Sequence, residues 1–216
     1  MSRQPTPIRR ALLGATLGLS LLLGGCASVY RVDHQVQSFA RWGATASAPA
    51  APAAPAAPQS YRFERLPSQR EGDAAASQGT LEDLTRAALA RVGWNLAEPA
   101  GTAPWTVQVS GGALKLPRAP WEEPWDGFGG GFGIYGGHGV WGTSMFMRMD
   151  LPYYERQVSL VVRQAATGQV VYETSARHDG RWNSSPELWS AMLDAALRDF
   201  PNPPTGARQV NIEVPR

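Results

Sequence analysis

A single cysteine, Cys26, closes an apolar run of 13 residues, 11–23, that follows Arg3, Arg9 and Arg10. This arrangement divides the chain. A helix of that length falls short of the roughly 20 residues a bilayer crossing needs, so residues 1–25 read as a removable export signal, not a membrane span. One cysteine cannot form an internal disulfide, so residues 26–216 must be held together by a packed core. Removing Arg3, Arg9 and Arg10 from the 20 basic residues leaves 17 against 18 acidic ones. A near-neutral chain offers no electrostatic case for nucleic acid or for anionic lipid. The Arg9-Arg10 pair leaves general secretion and twin-arginine export both open.

The four residues Leu23-Gly24-Gly25-Cys26 resemble the lipobox of bacterial lipoprotein precursors. Small residues at 24 and 25 let a peptidase reach the backbone, and the Cys26 thiol is a nucleophile able to take a diacylglyceryl group as a thioether. The resemblance implies cleavage between Gly25 and Cys26 and a palmitate-type lipid anchor at Cys26. Two or more acyl chains hold a protein stably where one does not. Ala27 follows in place of Asp, which resembles the outer-membrane sorting signal of Gram-negative lipoproteins. The expected location is therefore the periplasmic face of the outer membrane, and the membrane is the expected partner. An ordinary secreted protein is the alternative.

Periodicity supplies the elements. Tyr30, Val32, His34 and Val36 alternate with polar residues, as a half-buried strand does. His34 is expected at the edge of that apolar face, since no second metal ligand lies nearby. Residues 46–58 form an Ala/Pro tract with Pro49, Pro52, Pro55 and Pro58 at every third place. It cannot pack a core and should be extended and solvated, either as a flexible insertion or as a spacer of roughly 40 Å. Residues 61–66 read as a short strand. A first helix is expected to be capped by Thr80, with Asp83 three residues on, to carry Leu81, Leu84, Ala88, Leu89 and Val92 inward, and to stop at Gly93. Trp105, Val107 and Val109 mark a strand; 158–162 and 170–174 form a hairpin around Gly168, with His178-Asp179-Gly180 as a turn after it. A second helix opens with Ser185 and Pro186, runs an apolar stripe from Leu188 to Phe200 and ends at Pro201. Val210, Ile212 and Val214 make a closing edge strand. Six strands and two one-sided helices predict an α+β, two-layer fold: a mainly antiparallel sheet with both helices packed on one face. Residues 26–216 thus form one envelope domain, interrupted by the insertion at 46–58 and a loop at 119–148.

That loop holds nine glycines among 30 residues, interleaved with Trp121, Trp125, Phe128, Phe132, Tyr135, Trp141 and Phe146. Three readings stand: a flexible hairpin insertion, a contact surface for another envelope protein, a glycan or lipid, or a catalytic loop using Glu122, Glu123 and Asp126 beside the tryptophans. The interaction reading singles out Trp121, Trp125, Phe128, Phe132, Tyr135 and Trp141. Gly131, Gly133 and Gly136 match a dinucleotide fingerprint only formally, because the flanking Gly130 and Gly137 cannot open a helix. His34, His138 and His178 form no metal-ligand spacing, and no nucleophile-elbow motif is present. No catalytic residue, metal or cofactor is expected.

Taken in order, several motifs resemble the bacterial lipoprotein family known as domain of unknown function 4136. They are Cys26-Ala27-Ser28-Val29 running straight into a strand, Val92-Gly93-Trp94 at a helix end, the hairpin at Thr167-Gly168, and Asp199-Phe200-Pro201 after the last helix. The Ala/Pro insertion, the Gly/aromatic loop and the final strand depart from it. The family has no assigned activity, so the resemblance implies location and fold only. The expectation for function is a membrane-anchored envelope lipoprotein acting as a non-enzymatic structural or interaction domain. An envelope enzyme acting on glycan or lipid, and a small-ligand or lipid carrier, are the alternatives.

Overall fold

A computed structural model describes residues 29–43, 52–122, 152–181 and 185–215. In chain order the elements are β1 (Val29–Ala40), β2 (Gln59–Phe63), α1 (Gly72–Arg91), β3 (Trp94–Leu96), β4 (Trp105–Leu116), β5 (Tyr153–Gln164), β6 (Val170–Gly180), α2 (Pro186–Ala196) and β7 (Ala207–Pro215). The strands form one seven-stranded sheet in the order β3-β2-β4-β5-β6-β1-β7. The four pairings from β4 to β7 are antiparallel. β2 pairs parallel with both β3 and β4, so the sheet is mixed at one side. This follows from α1, which carries the chain back after β2 as a crossover helix does.

Both helices cover one face. Val36, Val107, Val109, Leu160 and Val162 point from the strands into a core completed by Leu89, Met192, Leu193 and Leu197. The other face keeps the polar half of each alternation, with Gln35, Gln37, Glu173, Arg177 and Gln157 exposed. Gly111 on β4 lies where the helices meet the sheet. A Cβ there would stand 3.1 Å from Leu81 Cδ2 and 3.2 Å from Trp189 Cζ3, so its missing side chain lets both helices settle.

α1 begins at Gly72 and not at Thr80. Ala74, Ala75 and Ala76 extend it backwards by sheer helix propensity. Thr80 sits inside, its hydroxyl donating to the Ala76 carbonyl at 3.3 Å. The buried line is Gln78, Glu82, Thr85 and Leu89, with Ala88; Leu81, Leu84 and Val92 flank it half-buried. The polar members are satisfied where they lie. Glu82 accepts two 2.7 Å hydrogen bonds from Arg65, and Gln78 donates to the Val109 carbonyl at 3.0 Å.

α2 has the expected start: the Ser185 hydroxyl accepts from the Leu188 N–H at 3.4 Å, and Pro186 takes the first turn. It ends at Ala196, and Phe200 lies beyond it in an aromatic cluster. There Trp94 and Tyr172 meet Phe200 edge-on at 5.0 and 4.8 Å, and the Trp42 indole N–H donates to the Pro201 carbonyl at 2.8 Å. The motifs Gly93-Trp94 and Asp199-Phe200-Pro201 thus converge on one end of the core.

Two further expectations are corrected. His178-Asp179-Gly180 is no turn; β6 runs through it, because β5 extends back to Tyr153 and pairs Tyr154 with Gly180. Likewise β4 continues past Ser110 to Leu116 against the same long partner. Of the Ala/Pro tract, residues 46–51 lie outside the described residues; the Gly43 N–H donates to the Pro52 carbonyl at 2.7 Å. Residues 52–58 form neither helix nor strand and are mostly exposed.

Candidate functional site

The register brings five strand ends together. Val29 pairs with Pro215 and Tyr30 with Val214 at the start of β1 and the end of β7. The Gly180 end of β6 lies beside them, where the His178 ring N–H donates to the Asp33 carbonyl at 2.8 Å. Next come Tyr154, opposite Gly180, and Lys115, opposite Tyr154 on β4. At about 4.8 Å per strand, this end of the sheet is roughly 19 Å wide from β7 to β4.

Its surface is rich in apolar side chains. Of the six large hydrophobic residues exposed among the described residues, Val29 (45 %), Tyr30 (37 %), Leu114 (58 %) and Trp121 (69 %) lie here. Trp121 packs edge-on against Tyr153 at 5.1 Å. The Tyr153 hydroxyl donates to Asp179, and burial together with that bond pushes the phenol's pKa up. Arg181 donates to Glu122, which also accepts from the Ala119 N–H at 3.3 Å. Two of the charges close to the apolar residues, Asp179 and Glu122, are thus engaged by partners.

Beneath this rim, facing the helices, runs a buried polar row. His34 is 1 % exposed and Arg156 is fully buried. The His34 and His178 rings lie 5.4 Å apart. The Nδ1–H of His34 donates to the Val210 carbonyl at 3.3 Å, while its Nε2 is buried with no hydrogen-bond partner among the described residues. Burial, reinforced by His178, lowers the His34 pKa to about 4. Arg156 lies over the Tyr154 ring at 5.1 Å, and its burial lowers its own pKa from the usual guanidinium value. Val32, Leu188, Ala191 and Val214 close the row off as a small apolar cluster. His34 thus lies fully within the packed face, deeper than the edge position that its sequence neighbours implied.

Of the loop residues singled out by sequence, the structure places Trp121 at this end. Trp125, Phe128, Phe132, Tyr135 and Trp141 lie outside the described residues, as do Asp126, His138, Gly25 and Cys26. Both flanks of the segment 123–151, Glu122 and Pro152, belong to this end. Val29 and Leu114 carried no local signal, since only the strand register makes them neighbours; Tyr30, expected on the apolar side of β1, is exposed because it lies beyond the packed rows at the strand's start. Among the described residues no group of three His, Cys, Asp or Glu could hold a metal ion. No helix among them is long and apolar enough to cross a membrane. One groove of about 340 Å³ lies at the β7 edge, lined by Arg31, Arg198, Asn211, Ile212 and Glu213. Between α2 and the sheet, Met192, Leu193, Val36 and Ala176 are buried against one another.

The family model described as "Domain of unknown function (DUF4136)" matches residues 50–202. No curated protein matches the sequence. Among solved structures, a PDZ domain protein from Parabacteroides distasonis is 12 % identical, with a TM-score of 0.51 over 94 % of this chain and 42 % of that one. The chain therefore spans about two fifths of that protein's length, and the likeness is one of fold. A PelC dodecamer structure from Paraburkholderia phytofirmans is 11 % identical with a TM-score of 0.40, covering 76 % of this chain and 94 % of that one.

Proposed function

The chain belongs to the DUF4136 family, and on that premise we propose that it is a lipid-anchored envelope lipoprotein whose folded part is a structural or interaction domain, without catalytic chemistry of its own. Residues 1–25 export it, Cys26 carries the acyl chains, and Ala27 directs it to the periplasmic face of the outer membrane.

The observation that carries this reading is where β1 starts. Val29 is already paired in the sheet, three residues after Cys26. Three residues reach at most roughly 10 Å. An anchor at Cys26 therefore holds the sheet close to the bilayer, with no long tether between lipid and fold. The interaction reading draws on Trp121, which offers a largely exposed indole beside the base of the glycine-rich segment. An acid–base role for Glu122 is disfavoured by its ion pair with Arg181, which already occupies the carboxylate. The filled space between α2 and the sheet disfavours a carrier cavity there.

The test is fractionation with metabolic labelling. Wild-type protein should take up an alkyne palmitate analogue and sediment with outer membranes. Cys26→Ser should lose the label and leave the outer-membrane fraction. An unlabelled wild-type protein, or a Cys26→Ser protein that fractionates as before, overturns the proposal.

A further inference from the structure

The Val29 end of the sheet carries an unusual concentration of exposed apolar surface, and the chain itself indicates what covers it. We propose that this end is a second lipid contact: Trp121, Leu114, Val29 and Tyr30 seat in the headgroup layer of the same leaflet that holds the Cys26 acyl chains, so the sheet stands on the membrane in a fixed orientation. This inference rests on the anchoring at Cys26 and adds a surface to it.

Three observations converge. Four of the six exposed large hydrophobic residues among those described occupy this one end, while Phe39 and Leu66 lie elsewhere. Val29 can be no more than roughly 10 Å from the acylated residue, so the rim beside it is brought to the interface whether or not it binds there. Finally, the residue types suit a wet–dry boundary. Tyr and Trp put an apolar ring in the acyl boundary and a polar edge among headgroups, which is why they collect at bilayer surfaces. Charges of both signs sit nearby: Arg181 pairs with Glu122, and Arg31 stands opposite Glu213 in the β1–β7 register. The contact should therefore depend on apolar burial and vary little with salt or with the anionic lipid fraction.

The experiment separates this claim from acylation. The signal and anchor are replaced by a histidine tag directly before residue 27, and the protein is tethered to vesicles of phosphatidylethanolamine and phosphatidylglycerol that contain a nickel-chelating lipid. Cys26 is the chain's own sole cysteine, so with it replaced an environment-sensitive fluorophore can be placed uniquely, through Leu114→Cys at the rim or Phe39→Cys at the opposite end. The expected result is a blue shift and loss of most of the rim label's emission to lipid-borne spin labels, with the label at 39 unaffected. Adding Trp121→Ser to the rim-labelled protein should weaken that quenching; Trp121 is 69 % exposed, so the fold does not depend on it. Equal quenching at both positions, or none at either, overturns the proposal. So does a rim label that stays exposed on vesicles yet becomes shielded on adding a soluble envelope extract, which would assign the surface to a protein. None of these outcomes depends on whether Cys26 is acylated in cells, so the two claims fail separately.

Discussion

His34 shows how a single residue can carry a measurable pH signature. It is buried, hydrogen-bonded through one nitrogen, and held neutral, with its pKa lowered to about 4 by burial and by His178. In the unfolded chain it takes a proton near pH 6.5, so below that point the unfolded state binds more protons than the folded one. Stability from this group is fully present above pH 6.5 and is lost as pH falls towards 4, by roughly 3 kcal/mol in all. Urea unfolding followed between about pH 7 and pH 5 should show that decline, and His34→Leu should flatten it. An equally steep decline in the variant would place its origin elsewhere. Asp33 and His178 are the titratable groups beside the ring, and Asp33 opposes the shift. Gly93 gives a second residue-scale case. Its φ is +80°, and an added Cβ would lie 2.7 Å from the Ala57 Cβ. Gly93→Ala should cost more than about 1 kcal/mol from the backbone alone, with a further steric penalty, and should lower the melting temperature by several degrees.

At the scale of elements, α1 and α2 are stabilised differently. α2 is a short helix with a conventional apolar face and a side-chain cap, and Ser185→Ala should cost about 1 kcal/mol in unfolding free energy. α1 instead buries polar residues along its centre, and its seat on β4 depends on Gln78, Glu82 and Arg65 being mutually satisfied. Glu82→Ala should destabilise by about 1–2 kcal/mol, discounted because Arg65 remains one third exposed and can turn to water. Arg65→Ala should destabilise as well, and the double variant should cost less than the two single ones together. This contrast explains what the sequence made legible. Ser185, Pro186 and the stripe beginning at Leu188 are local signals, so α2 could be read directly. In α1 the buried face runs through Gln78, Glu82 and Thr85 before it reaches Ala88 and Leu89, so periodicity found its apolar end, missed its polar half and set its start too late. β3 is three residues long and has no pattern of its own. The parallel pairing of β2 with β3 and β4 depends on the path around α1, which no single segment encodes.

The whole molecule has two unlike ends. At one, Trp42, Trp94, Trp105, Tyr172 and Phe200 lock the core, with Arg208 donating to Asp199 at 2.9 Å nearby. At the other, strand starts and stops expose Val29, Tyr30, Leu114 and Trp121, and Val29 is three residues from Cys26 in sequence. The reading of Cys26 as an acylation site rests on a local pattern, an apolar run closed by small residues and a thiol. The apolar rim at the Val29 end has no such local pattern, because it is assembled from strands far apart in sequence. Whether the chain is fastened to lipid through Cys26 can be read from the intact mass and N-terminal peptide of protein purified from membranes. The mature chain should begin at Cys26, and its first peptide should carry a diacylglyceryl mass and lose its ester-linked fatty acids on alkaline hydrolysis. A free thiol at Cys26, or a chain that still retains residues 1–25, would contradict the proposed anchoring.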